Sequence, residues 1–126
     1  MSFLPLRDRE YLTSKSFDFE ELDISGQKAI RIKKWAVPHG KYNANEVDVL
    51  ILLPAGYPDV LPDMFYTYPW MILTSTGKHP RAADQPLGFA NLSWQRWSRH
   101  SSDWRPGRDG IWTLVARIRH AIEVAE

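Results

Sequence analysis

A chain of 126 residues, 44% of them hydrophobic, has the length of one domain and enough apolar material for a core that needs no disulfide or metal staple. Its 16 basic and 15 acidic residues nearly cancel, so neither nucleic acid nor an anionic membrane finds the electrostatic grip it would require, and protein partners are expected instead. Zero cysteines exclude a disulfide framework, thiolate metal sites and thiol catalysis together.

The opening MSFLPLRDRE meets charge and proline too early for the apolar stretch of a signal peptide. The longest apolar run, Val49 to Ala55, falls far short of the roughly 20 residues that span a bilayer. A cytoplasmic bacterial protein is expected, one domain over residues 1–126, without repeats or linkers.

Leu4 to Lys15 predicts a first helix, with Pro5 near its start where a missing amide costs nothing and with Leu6, Tyr11 and Leu12 available for burial. Phe17, Phe19, Leu22 and Ile24 predict a strand closed by the turn pair Ser25-Gly26, and Ile30 and Ile32 alternate with Arg31 and Lys33 in a hairpin partner that Trp35 ends. Turn chemistry fills Pro38 to Asn45. Val47, Val49, Ile51 and Leu53 then form the central strand, whose second face carries Leu50 and Leu52, so a helix is expected over one side and a loop over the other. Met64 to Tyr68 supplies the last strand of a meander, and Pro69 to Gly110, with no sustained period, reads as an ordered, irregular excursion. Ile111, Leu114, Val115, Ile118 and Ile122 recur at helical spacing, with Asp109 as the expected cap. This order of elements is an α+β layout.

Several clusters follow one another in a distinctive order: Leu4-Pro5-x-x-Asp8, Pro38 with Gly40-Lys-Tyr-Asn43, Pro54-x-Gly-Tyr-Pro58 with Asp63-Met-Phe65, His79-Pro80, and Trp94-Gln-Arg-Trp-Ser-Arg-His100 with Trp104-x-Pro-Gly107. Together they resemble the prokaryotic ubiquitin-conjugating-like group called family E, a divergent branch of the ubiquitin-conjugating superfamily. The resemblance implies a ubiquitin-conjugating (UBC)-like fold, an antiparallel meander of about four strands with an N-terminal and a C-terminal helix. It also implies as partners a ubiquitin-like protein, an activating-enzyme homologue and a JAB-type isopeptidase of the same pathway. In related folds the first helix meets the activating enzyme, which makes Arg7, Asp8 and Arg9 the expected partner-binding residues. The active-site-region motif would comprise His79, Pro80, Trp94, Trp97, Ser98, Arg99, His100 and Trp104.

Two departures from the classical ubiquitin-conjugating enzyme stand out. Arg81 takes the place of the asparagine that follows His-Pro there and helps hold the charged tetrahedral intermediate. The thioester-forming cysteine, expected within Asp84 to Ser93, is missing, and Ser93 is the residue that would stand in for it if a thiol had been replaced.

Each candidate also has a plainer reading. His79 either holds the active-site loop through backbone hydrogen bonds or is an exposed loop histidine. Ser98, His100 and Asp103 invite a hydrolase reading, yet residues this close in sequence rarely acquire triad geometry, and Arg99 and His100 are expected instead to pin the excursion internally. Trp94, Trp97 and Trp104 form a partner face or anchor the excursion, with two of the three expected to be buried; Trp70 and Trp112 are assigned to the core. Arg96, Arg99, Arg105 and Arg108 make a local positive patch. The histidines lack metal-ligand spacing, and neither a metal nor another cofactor is expected. The leading reading is a non-catalytic ubiquitin-conjugating-like protein with an accessory or binding role. The alternatives are an active conjugating enzyme whose cysteine has been substituted, and a Ser/His hydrolase.

Overall fold

A computed structural model describes residues 2–100 and 103–126. The first helix, α1, spans Leu6–Ser14, two residues shorter at its start than expected because Pro5 serves as its N-cap. Its inward side is not the expected trio. Leu12 is buried and Tyr11 is half-buried, whereas Leu6 is 62% exposed and Asp8 only 2% exposed.

Strands β1 (Asp18–Ile24) and β2 (Gln27–Ala36) pair antiparallel through the Ser25-Gly26 turn, whose φ angles of 53° and 86° suit the right-handed twist of a two-residue hairpin. The ladder from β2 to β3 (Glu46–Leu53) shifts register between Ile32 and Trp35. At this bulge Lys34 has φ 55° and its amide donates to Asp48. Strand β4 (Phe65–Tyr68) continues the sheet, as the meander requires.

The excursion is less irregular than its sequence implies. It contains a second hairpin, β5 (Gln85–Phe89) and β6 (Leu92–Trp97), and β6 pairs with β4. The result is one six-stranded antiparallel sheet in the order β1-β2-β3-β4-β6-β5. Two features hid these strands: Pro86 and Gly88 weaken the strand signal of β5, which is tolerated because β5 is an edge, and Trp94 and Trp97 lie three apart and so fall on opposite faces.

Helix α2 (Ile111–Val124) covers one face of the sheet, begins with the first residue of its apolar stripe and runs two residues past the last. Ile111, Leu114, Val115, Ile118 and Ile122 join Ile30, Ile32, Val49, Ile51, Phe65 and Trp97 in the main core. The opposite face carries its own cluster of Ala29, Leu50, Tyr66 and Trp94, with Leu22, Leu52, Met64, Leu87, Phe89 and Leu92 around it. The side chains packed there come from the strands and Met64, so the loop expected over this side of β3 is replaced by the sheet's own rows. Arg31 contributes by lying 5.3 Å above the Trp94 ring while holding Asp48 at 2.6 Å.

The start of α2 also differs from expectation. Gly110 is the N-cap, not Asp109, which instead accepts hydrogen bonds from the Arg105 amide (2.7 Å) and the Thr113 hydroxyl (3.0 Å). The first free amide of the helix, that of Ile111, is taken by Asp8 from α1. A carboxylate at a helix N-terminus is favoured by both hydrogen bonding and the helix dipole. The Tyr57 hydroxyl donates to the same carboxylate, so residues from three separate segments meet at this one buried group. Burial raises the Asp8 carboxyl above its ordinary value, with the Tyr57 and Ile111 hydrogen bonds and Arg7 acting in the opposite direction. The Tyr57 hydroxyl is likewise raised, first by burial and then by Asp8.

Candidate functional site

The stretch in which a thioester cysteine was expected is the β5–β6 hairpin. Its tip, between the paired residues Phe89 and Leu92, is Ala90-Asn91, with φ angles of 52° and 64°. Ser93 follows on β6 opposite Gly88 and is exposed. Its carbonyl accepts the Trp70 indole N–H at 3.0 Å, and the Trp70 ring meets His79 edge-on at 5.3 Å. Trp70 therefore joins the hairpin to the His79-Pro80 turn from a half-buried position, outside the core to which it was assigned. His79 is exposed, Pro80 is buried, and Arg81 is exposed with its amide on the Glu126 carbonyl at 3.0 Å.

Among the described residues no imidazole or carboxylate hydrogen-bonds the Ser93 hydroxyl. A serine needs an adjacent base to become a useful nucleophile, so this hairpin presents surface and hydrogen-bonding groups in place of an activated atom.

Beneath the hairpin lies the structural centre of the region, which the sequence reading missed. Gln95 is fully buried. Its carbonyl oxygen accepts from the Thr67 hydroxyl (2.9 Å) and the Met71 amide (2.7 Å), while its Nε2 donates to the carbonyls of Met71 (3.0 Å) and Ala83 (2.9 Å). Thr67 in turn accepts the Trp97 indole N–H at 2.9 Å. Trp97, fully buried, stacks on Phe65 at 5.1 Å between ring centres, and Arg99 lies over its ring. One amide side chain thus ties β6 to the segments after β4 and after Pro80.

The three tryptophans of the motif separate by role. Trp94 and Trp97 are fully buried on opposite faces, and the half-buried Trp104 donates its N–H to the Pro58 carbonyl at 2.9 Å. Two of three buried is as the sequence reading held. Trp112 is half-buried at the core's margin, with Tyr11 edge-on at 6.3 Å and Arg7 5.1 Å above its ring.

Among the described residues, Ser98 and His100 form no hydrogen bond with each other. The His100 Nδ1 lies 2.9 Å from each carboxylate oxygen of Asp63, and the Ser98 hydroxyl points to the Met64 sulfur at 4.0 Å. The Asp103 carbonyl accepts from Arg117 at 2.5 Å. Arg99 donates to the carbonyls of Arg81 (3.1 Å) and Ser98 (3.0 Å), fastening the excursion internally. Burial lowers the Arg99 pKa, while Tyr42 acts in the other direction. The proposed basic patch is dispersed: Arg105 pairs with Asp109, and Arg96 sits beside Tyr66 in the sheet register.

On the first helix Arg7 is exposed and donates to the Gly107 carbonyl at 3.3 Å, and the half-buried Arg9 lies 3.9 Å from Glu21. Asp8 is absent from that surface, because it is the buried cap of α2.

A family model described as "Prokaryotic E2 family E" matches residues 4–125, nearly the whole chain. The chain belongs to the prokaryotic E2 family E. It is therefore a ubiquitin-conjugating-like protein of a bacterial pathway, and its helix–sheet–helix order is that of a UBC-like fold. No curated protein and no solved structure matches this family E chain. Among its described residues there is no group of three or more His, Cys, Asp or Glu able to hold a metal ion, and no helix long and apolar enough to cross a membrane.

Proposed function

We propose that this family E protein is a non-catalytic component of a bacterial ubiquitin-like modification pathway, acting in the cytoplasm by binding its protein partners. Those partners are a ubiquitin-like protein and its activating-enzyme homologue, in a pathway that a JAB-type isopeptidase completes. The observation that carries this reading is the complete absence of cysteine from a chain that retains the family's elements. The expected thiol's place is a tight hairpin whose one nearby hydroxyl, on Ser93, has no base hydrogen-bonded to it among the described residues. Surface charges on α1, chiefly Arg7, supply steering toward an acidic partner face, which acts on encounter rate more than on final affinity.

The test mixes the full chain with the activating-enzyme homologue, ATP and the ubiquitin-like protein encoded beside it. The intact mass of the chain should stay unchanged while a non-covalent complex forms on a biosensor. Arg7→Glu should slow association several-fold at low salt, with a smaller effect on dissociation. A covalent adduct that disappears in Ser93→Ala would overturn the non-catalytic reading. An adduct lost instead in Ser98→Ala would restore the hydrolase chemistry.

A further inference from the structure

Away from the hairpin, α2 and the segment before β4 enclose a cleft of about 350 Å³. Its floor is apolar: Ile51 and Phe65 from the sheet, Leu114, Ile118 and Ala121 from α2. Its rim is cationic. Arg99 and Arg117 line it together with His100 and His120, and among the described residues the only acidic one on the lining is Asp63, which is already held by His100 at 2.9 Å.

Among the described residues neither arginine is ion-paired to a carboxylate of the cleft lining, although Arg117 acts electrostatically on Asp109 outside it. Arg117 gives one guanidinium nitrogen to the Asp103 carbonyl and lies over the Trp104 ring at 5.9 Å, while its buried Nη1 has no hydrogen-bond acceptor among the described residues. Arg99 spends a single nitrogen on two carbonyls. Both guanidiniums carry more N–H donors than these carbonyls take, and an anion entering the cleft would find charge-assisted partners in them. The volume lies at the lower end of the range typical of small-molecule sites, and an apolar floor beneath a few convergent polar groups is their usual construction.

We infer that this cleft binds a small organic carboxylate with an apolar body, the body on the Ile51, Phe65, Leu114 and Ile118 floor and the carboxylate on Arg117 and Arg99. A bare inorganic anion leaves the floor uncovered, and an apolar cation meets repulsion from the rim. The inference is independent of the proposed pathway role, since it uses neither the hairpin nor the surface of α1.

The experiment titrates octanoate into the full-length protein, followed by calorimetry and by amide NMR shifts. Octanol, acetate and octylammonium serve as probes lacking the charge, lacking the body and reversing the charge. Octanoate should bind at least about tenfold more tightly than any of them, the difference expected from a charge-assisted hydrogen bond, with shifts gathered on α2 and on Arg99. Arg117→Gln should weaken octanoate by about tenfold and leave octanol unchanged. Ala121→Phe, which fills the cleft from the helix face that also carries Arg117, should abolish octanoate binding while the melting curve reports an intact fold. Equal binding of octanoate and octanol, or undiminished binding by a folded Ala121→Phe protein, overturns the inference. So does binding confined to a peptide with a free C-terminal leucine and absent for octanoate, which would make the cleft a peptide-terminus site.

Discussion

Replacing Gln95 by leucine tests the claim that one buried amide organises the excursion. Leucine has nearly the same size and is apolar, so on volume and hydrophobicity alone the change should be tolerated or even stabilising. The hydrogen-bond geometry argues the opposite. Leucine would leave the Met71 amide, the Met71 carbonyl and the Ala83 carbonyl without this partner, and would free the Thr67 hydroxyl that positions the Trp97 indole. Each buried polar group left unpaired costs about 1–3 kcal/mol, and partial relaxation keeps the sum nearer the lower bound, so a loss of roughly 3–5 kcal/mol is expected. For a chain of this size that corresponds to a drop in Tm of about 10 °C or more. Urea unfolding gives the free energy directly. The companion variant Thr67→Val should be non-additive with Gln95→Leu by about 1 kcal/mol, because both act through one network. A loss below about 1 kcal/mol for Gln95→Leu, at an unchanged denaturant slope, would refute the reasoning and show that packing alone holds β6.

Asp8→Ala should cost about 1–3 kcal/mol by stranding the Ile111 amide and the Tyr57 hydroxyl, whereas Asp8→Asn, which keeps hydrogen-bonding atoms without a buried charge, should cost less at pH 7. The raised Asp8 carboxyl sets the sign of the pH effect: its contribution is greatest below its unfolded value near 3.8 and declines as pH rises through the folded value, so Asp8→Asn should compare more favourably with the parent at pH 7 than at pH 4 in urea midpoints. Burial raises the Glu21 carboxyl, but hydrogen bonds from Ser2, Leu4 and Phe3, with Arg9, more than offset it and hold the group below 4.5; Glu21→Gln should therefore lose stability at neutral pH and converge on the parent in acid. Gly110→Ala should destabilise by about 1–3 kcal/mol on thermal melting despite an extended backbone any residue tolerates, because the new methyl would lie 2.6 Å from the Trp112 ring and 2.9 Å from Asp8. Ala90→Gly should raise the melting temperature slightly, by relieving a left-handed alanine at φ 52° in the hairpin tip, a gain of at most about 1 kcal/mol.

The amino-acid sequence by itself determined the elements whose pattern is local. The stripe of Ile111, Leu114, Val115, Ile118 and Ile122 specified α2, and alternation in Ile30 to Ile32 and Val47 to Leu53 specified the central strands, because side-chain period reports directly which face must leave water. The lack of a thiol was equally plain, since chemistry that needs an absent atom is excluded at any fold. Tertiary structure alone decided what depends on distant partners. Gln95 looks like a surface residue until Met71 and Ala83 surround it, and Asp8 looks like a helix-surface charge until Tyr57 and the first amide of α2 close on it. The hairpin of β5 and β6 belongs to the same class: Pro86, Gly88 and the mixed faces of Trp94 and Trp97 weaken its local signal, and only the open edge of β4 draws β6 into the sheet. Hydrogen bonds between segments far apart in sequence leave no period to read, because the chain has to fold before the groups that satisfy one another become neighbours.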